Sequence, residues 1–103
     1  MEKYLKTYRE SVLVTQILNV LKRYLDPHRI ILFGSRAKGN FNSRADFDIA
    51  IDTKKPDVTY QRRISEEIEK FSGLYNVDIV YLPGLEQGFI NIISKTGIVL
   101  YER

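Results

Sequence analysis

The stretch "ILFGSRAKGNFNSRADFDIAID", Ile31 to Asp52, decides the fold. Its front overlaps "RIILF", Arg29 to Phe33, which is β-branched, apolar and bounded by turn residues, the composition of a buried strand. Gly34-Ser35 interrupts that run, and "GNFNS", Gly39 to Ser43, is turn chemistry. "ADFDIAID", Ala45 to Asp52, then alternates with the period of a strand: Phe47, Ile49 and Ile51 face one side, Asp46, Asp48, Ala50 and Asp52 the other. Two glycines five apart, with Lys38 between them, suggest a loop for phosphate. A P-loop requires G-x-x-x-x-G-K-[ST], its lysine reaching the β/γ-phosphates and its hydroxyl holding Mg²⁺. Gly39 is followed by Asn40 and Phe41, so both chemical parts are missing, and no Rossmann G-x-G-x-x-G is present.

Outward from this stretch the periodicity changes to that of helices. Thr7 and Glu10 have the spacing of a capping box. Val14, Ile17, Leu18, Leu21, Tyr24 and Leu25 then recur at three and four, an amphipathic helix closed by Asp26-Pro27. After Pro56 a second helix runs to about Phe71, with Ile64, Ile68 and Phe71 on its inner face and Gly73 as its stop. "VDIVYL", Val77 to Leu82, reads as a third strand. Pro83-Gly84 turns the chain into a short helix carrying Phe89, Ile92 and Ile93 and ended by Gly97, and "IVLY", Ile98 to Tyr101, is the last strand. The order α-β-β-α-β-α-β predicts a mixed four-stranded sheet with helices packed on it, of the α/β (α+β) class.

The bulk properties exclude several functions. The 103 residues make one domain, expected to span 1–103, and carry 16 Lys/Arg against 13 Asp/Glu, a formal charge of +3. That suits an anionic partner, but the pairs Lys22-Arg23, Lys54-Lys55 and Arg62-Arg63 are scattered and read as solvated faces, not a nucleic-acid track. With no cysteine and one histidine, His28, a disulfide framework and a conventional zinc site are both excluded. His28 follows Asp26-Pro27 and reads as a surface turn residue, and the seven tyrosines read as core and rim. No apolar run approaches the ~20 residues that cross a bilayer, and nothing at Met1 to Thr7 resembles a signal peptide. No membrane association and a cytoplasmic location are expected.

The chemistry lies in the carboxylates. Asp46 and Asp48, two apart on one strand face, are about 6.5–7 Å apart and can converge on one hard cation or a close pair. Mg²⁺ takes oxygen ligands, commonly one or two carboxylates plus substrate phosphates. Two ions about 3.5–4 Å apart stabilise both the attacking and the leaving oxygen of an in-line displacement at phosphorus. Asp78, flanked by Val77, Ile79 and Val80, reads as a carboxylate on a strand buried on both faces, where it would need a partner. Asp52, roughly 13 Å beyond Asp48 along the strand, falls outside such a site. If the Arg29–Phe33 strand pairs with the next, the Gly-Ser turn lies beside the Asp pair. Gly34 permits close backbone approach, and Ser35 with the amides after it, opening a short helix through Arg36 and Ala37, would hold an anion.

This arrangement resembles the nucleotidyltransferase superfamily related to DNA polymerase beta, and more closely its minimal members. The shared pattern is G-S, ten residues, D-x-D, then a third Asp on a later strand: Gly34-Ser35, residues 36 to 45, Asp46-Phe47-Asp48 and Asp78. "LFGSRAKG" and "TGIVLYER" resemble those proteins too, so the likeness covers nearly the whole chain. It implies the nucleotidyltransferase fold, with Asp46, Asp48 and Asp78 as catalytic metal ligands for Mg²⁺, two ions in the family. Gly34 and Ser35 would hold the β/γ-phosphates, Arg36 would reach a phosphate or else pack or pair locally, and Lys38 is the weaker candidate. Many members carry Ser where this chain has Ala45. The implied reaction transfers a nucleoside monophosphate, AMP from ATP, to a hydroxyl. Stand-alone chains of this size are similar to the antitoxins of HEPN/MNT toxin–antitoxin pairs, which implies a HEPN partner encoded nearby, a tyrosine as acceptor, and a homo- or hetero-oligomer. A non-catalytic antitoxin that masks a partner ribonuclease, and transfer to RNA or a small molecule, stay open as alternatives.

Overall fold

Helix α1 (Tyr8–Tyr24) begins where expected. The computed structural model describes residues 5–39, 41, 42 and 44–103, so the expectations for Met1 to Tyr4, Asn40 and Ser43 lie outside it. The Glu10 amide donates to Thr7 Oγ1 at 3.2 Å, one half of the capping box. The other half is shifted by a residue, because Glu10 Oε1 accepts from the Lys6 amide at 2.7 Å instead of from Thr7. The chain continues through β1 (Arg29–Phe33), α2 (Ser35–Lys38), β2 (Phe47–Ile51), α3 (Val58–Ser72), β3 (Val77–Tyr81), α4 (Gln87–Thr96) and β4 (Ile98–Glu102). The order read from the sequence lacks α2 as an element, since four residues carry no period. Gly73, with φ 63, ends α3 as expected, and Asp57 caps its start by accepting from the Tyr60 amide.

The four strands form one mixed sheet in the order β3-β2-β1-β4. β1 runs antiparallel to both β2 and β4, and β2 runs parallel to β3. The register sets the site: Phe33 opposes Asp48, and Asp48 in turn opposes Asp78.

Strand alternation divides the core between the two sheet faces. Ile30, Leu32, Phe47, Ile49 and Ile51 pack with Leu13, Val14, Ile17, Val20 and Leu21 of α1 and Ile64 and Ile68 of α3. On the opposite face Ile31 and Ala50 pack with Leu82 and with Ile93 of α4. At about 25 cal/mol per Å², the first and larger cluster carries most of the apolar burial. The shorter α4 covers only part of the second face, and Asp48, an even step from Ala50, lies on that partly open side. Phe47, Ile49 and Ile51 thus face inward and the aspartates away from them, as the alternation predicts.

One expectation about the sheet is corrected. The Val77–Tyr81 strand is not buried on both faces: β3 is an edge strand and Asp78 is exposed. Val77 and Ile79 pack on the α1/α3 side and Val80 on the α4 side, so a β-branched run serves both faces while one long edge stays open. Among the described residues no helix is long and apolar enough to cross a membrane.

Candidate active site

The three aspartates meet through register, not proximity in the chain. Asp46 enters β2 one residue before Phe47, Asp48 lies on it, and Asp78 is its partner across the parallel pair. One carboxylate oxygen from each lies within 4.8 Å of the others. Burial pushes the Asp48 carboxyl above its ordinary value, and the charges of Asp78 and Asp46 push it further.

Gly34 closes the other side of Asp48. Its φ of 78 and ψ of −155 suit glycine, and a Cβ built there would overlap Asp48 Oδ2. The backbone thus runs directly against the carboxylate before Ser35, which is exposed, opens α2. Lys38, at the far end of α2, points to solvent.

Of the two placements open to Arg36, a phosphate contact or local pairing, the structure shows the second. Its side chain is 0% exposed and forms a 3.0 Å ion pair with Glu10, also 0% exposed. Its Nε donates to the Ala45 carbonyl at 3.0 Å, and its guanidinium lies 3.9 Å from the centre of the Phe47 ring. Phe41 and Tyr75 lie beside the same cation. The Tyr75 hydroxyl donates to Glu10 Oε2 at 2.9 Å. Burial raises the Glu10 pKa, but the Lys6 amide and the hydrogen bonds from Arg36 and Tyr75 outweigh it and hold the carboxyl below its ordinary value. Arg36 thus ties α1 and α2 to Ala45, next to Asp46, and to Phe47, between Asp46 and Asp48. Ala45 meets this arrangement with its backbone carbonyl, which any residue there would supply.

Sequence reasoning missed Glu10 and Tyr75. Glu10 lies three, four and seven residues before Leu13, Val14 and Ile17, on the buried stripe of the helix, and an acid at such a position requires a cation. Asp52 is outside the cluster as expected, held by Arg29 Nε at 3.3 Å. His28 is an exposed turn residue.

A groove of about 440 Å³ opens at the β3–α3 edge, lined by Asp46 and Asp78 together with Asn76, Ser65, Glu69 and Ser72. Across the sheet the order is then Gly34-Ser35 at the end of β1, Asp46 and Asp48 on β2, and Asp78 with the groove on β3.

Comparison with known proteins agrees with this geometry. The chain matches the family "Polymerase beta, Nucleotidyltransferase" over residues 15–103. It is 30% identical over 86 residues to MJ0141 of Methanocaldococcus jannaschii, named as a candidate protein adenylyltransferase, covering 80% of this chain and 85% of that one. It is 33% identical over 84 residues to the protein adenylyltransferase MntA of Aphanizomenon flos-aquae, covering 71% of this chain and 55% of that one, so it spans about half of MntA. The fold matches a structure of the tri-AMPylated Shewanella oneidensis HEPN toxin in complex with its MNT antitoxin, with a TM-score of 0.69 and 19% identity over 91% of this chain and 73% of the other. On the match across residues 15–103, the chain belongs to the polymerase beta nucleotidyltransferase family and is a nucleotidyltransferase.

Proposed function

We propose that this chain transfers AMP from ATP to a tyrosine hydroxyl of a HEPN-type protein partner and so acts as an antitoxin. The observation that carries the reading is the linear order across the sheet. Displacement at phosphorus requires attacking and leaving oxygens roughly in line. A phosphate cradle at Gly34-Ser35, carboxylates at the centre and an open groove at Asp78 supply that line.

The aspartates fit Mg²⁺. On octahedral Mg²⁺, with metal–oxygen distances of about 2.1 Å, neighbouring oxygens stand about 3 Å apart and opposite ones about 4.2 Å, so three carboxylate oxygens within 4.8 Å of one another can converge on one ion, or share a close pair, by side-chain rotation. Bound there, Mg²⁺ would neutralise the phosphate charge and the repulsion now felt at Asp48. Asp46 and Asp48 would be its shared ligands and Asp78 the third. Gly34 and the Ser35 hydroxyl would take the β/γ-phosphates, the backbone close enough because no Cβ intervenes. Asp78, exposed at the groove, would orient the attacking hydroxyl and receive its proton as the new oxygen–phosphorus bond forms and pyrophosphate leaves. Arg36 touches no reacting atom and acts by fixing Asp46 and Asp48. Catalysis rests on positioning and charge placement, the dominant effects in transfer at phosphorus.

The names of the relatives support the acceptor class: two are called protein adenylyltransferases, and a structural match contains an AMPylated HEPN toxin. The test is an intact mass of the HEPN-type protein encoded beside this chain, after incubation with ATP and Mg²⁺, with Asp48→Asn as control. AMP-sized additions absent from the control are expected. An unmodified partner that still forms a tight complex would replace this reading with a masking antitoxin.

A further inference from the structure

Phe89 has no role in the mechanism above and is ill placed for a core residue. It is one of the apolar residues that the short helix carries, and it is 39% exposed. Its ring meets the half-buried ring of Phe33 edge to face, with centroids 5.8 Å apart. Phe33 is the cross-strand partner of Asp48 and the residue before Gly34. Directly opposed residues project from the same sheet face, with Cβ atoms about 5 Å apart. An aromatic pair, open to solvent on one side, therefore begins one residue from both the carboxylates and the phosphate cradle.

We propose that Phe33 and Phe89 form the platform on which the base of the nucleoside triphosphate stacks. The inference rests on the nucleotidyltransferase site described above and adds the subsite for the nucleoside half of its substrate. The in-line axis runs across the strands, from Gly34-Ser35 through the aspartates to the groove at Asp78. Leaving pyrophosphate and incoming hydroxyl occupy its two ends, so the ribose and base must depart from the axis. On one sheet face α1, α3 and the larger core cluster leave only the groove at the β3–α3 edge, which the incoming hydroxyl takes. The other is only partly covered by α4, and the aromatic pair lies there beside Asp48. Base–aromatic stacking is strong and tolerates any base, because every base offers a π-face. The platform therefore selects nucleotides over bare polyphosphate and leaves base choice to other groups.

Two variants test this with the full chain. Phe89→Ala is expected to raise the dissociation constant of Mg²⁺-ATP about tenfold and to leave that of Mg²⁺-tripolyphosphate unchanged. The chain has no tryptophan, so Phe89→Trp places a single fluorescent reporter on the platform. Its emission should be quenched by Mg²⁺-ATP and not by Mg²⁺-tripolyphosphate. Unchanged ATP affinity in Phe89→Ala, with no quenching by bound ATP in Phe89→Trp, overturns the platform and leaves the nucleotidyltransferase site standing. Equal weakening of ATP and tripolyphosphate overturns it as well, since a base contact cannot act on a ligand without a base. Unchanged ATP binding with a weakened partner complex would make Phe89 a protein contact and overturn it too. Wild-type protein that binds neither ligand would overturn the phosphate and metal assignments themselves.

Discussion

Gly34 and Asp48 show how tightly the chemistry depends on single atoms. Gly34 holds φ 78 and ψ −155, where a side chain costs about 1–3 kcal/mol of strain, and its missing Cβ leaves the space that Asp48 Oδ2 fills. Gly34→Ala is expected to lower thermal stability and to reduce AMP transfer on the order of 100-fold, because displacements near 1 Å have that effect on a positioned site. Wild-type rates in a folded Gly34→Ala protein would refute the close approach. Asp48 itself is under charge repulsion, since burial and the neighbours Asp78 and Asp46 push its carboxyl above the ordinary value. Its folded pKa lies above the unfolded one, so metal-free protein loses stability as pH rises past the carboxylate range. In chelator at neutral pH, Asp48→Asn should therefore melt a few degrees above wild type while transferring no AMP. A lower melting temperature would mean that Asp48 is held by attraction and not by repulsion.

Among the elements, α1, α2 and the start of β2 are joined by one buried ion pair. Removing one partner of such a pair costs about 3–5 kcal/mol, since the other charge stays buried, against a total stability of about 5–15 kcal/mol for a domain. Arg36→Ala should thus bring urea unfolding close to its onset in water, and a shift below about 1 kcal/mol would deny the pair its structural role. The pH dependence has the opposite sign to that at Asp48. Glu10 is held below its ordinary value, so its contribution is present above the unfolded pKa and is lost as pH falls through the folded one. Between about pH 6 and pH 3, wild type should lose more stability than Glu10→Gln, measured by urea unfolding at each pH. Much of this was legible in advance at the strands: the alternation of Phe47, Ile49 and Ile51 against Asp46, Asp48 and Ala50 gave both the core face and the acidic face. The short helix was read only through its chemistry, because four residues have no period. Asp78 was assigned to the right strand and the wrong environment, since Val77, Ile79 and Val80 look alike in a central strand and in a half-buried edge strand. For Arg36 the sequence left a phosphate contact and local pairing equally open, because its partner Glu10, 26 residues earlier, resembled an ordinary helix cap.

For the whole molecule, the strand order β3-β2-β1-β4 assigns a different task to each part of one sheet. In the proposed reaction the β1 end would hold the phosphates, β2 would supply the shared carboxylates and the open β3–α3 edge the acceptor groove, while α1 and α3 pack the larger core cluster. A nucleotide bound as proposed would contact α2, β2 and the α4 face simultaneously and should stabilise the fold as a unit. By linkage, ligand at about 100 times its dissociation constant contributes about 2.7 kcal/mol. At about 4–8 °C per kcal/mol for a domain near this size, Mg²⁺ with a non-hydrolysable ATP analogue should raise the melting temperature by roughly 10–20 °C. The shift should vanish in Asp48→Asn and in the presence of chelator, and should exceed that given by Mg²⁺ alone. This measurement separates an enzyme from a masking antitoxin without requiring the partner. A protein that neutralises only by contact has no need of a site responding to metal and nucleotide together, so equal melting with and without both ligands would make the aspartates vestigial.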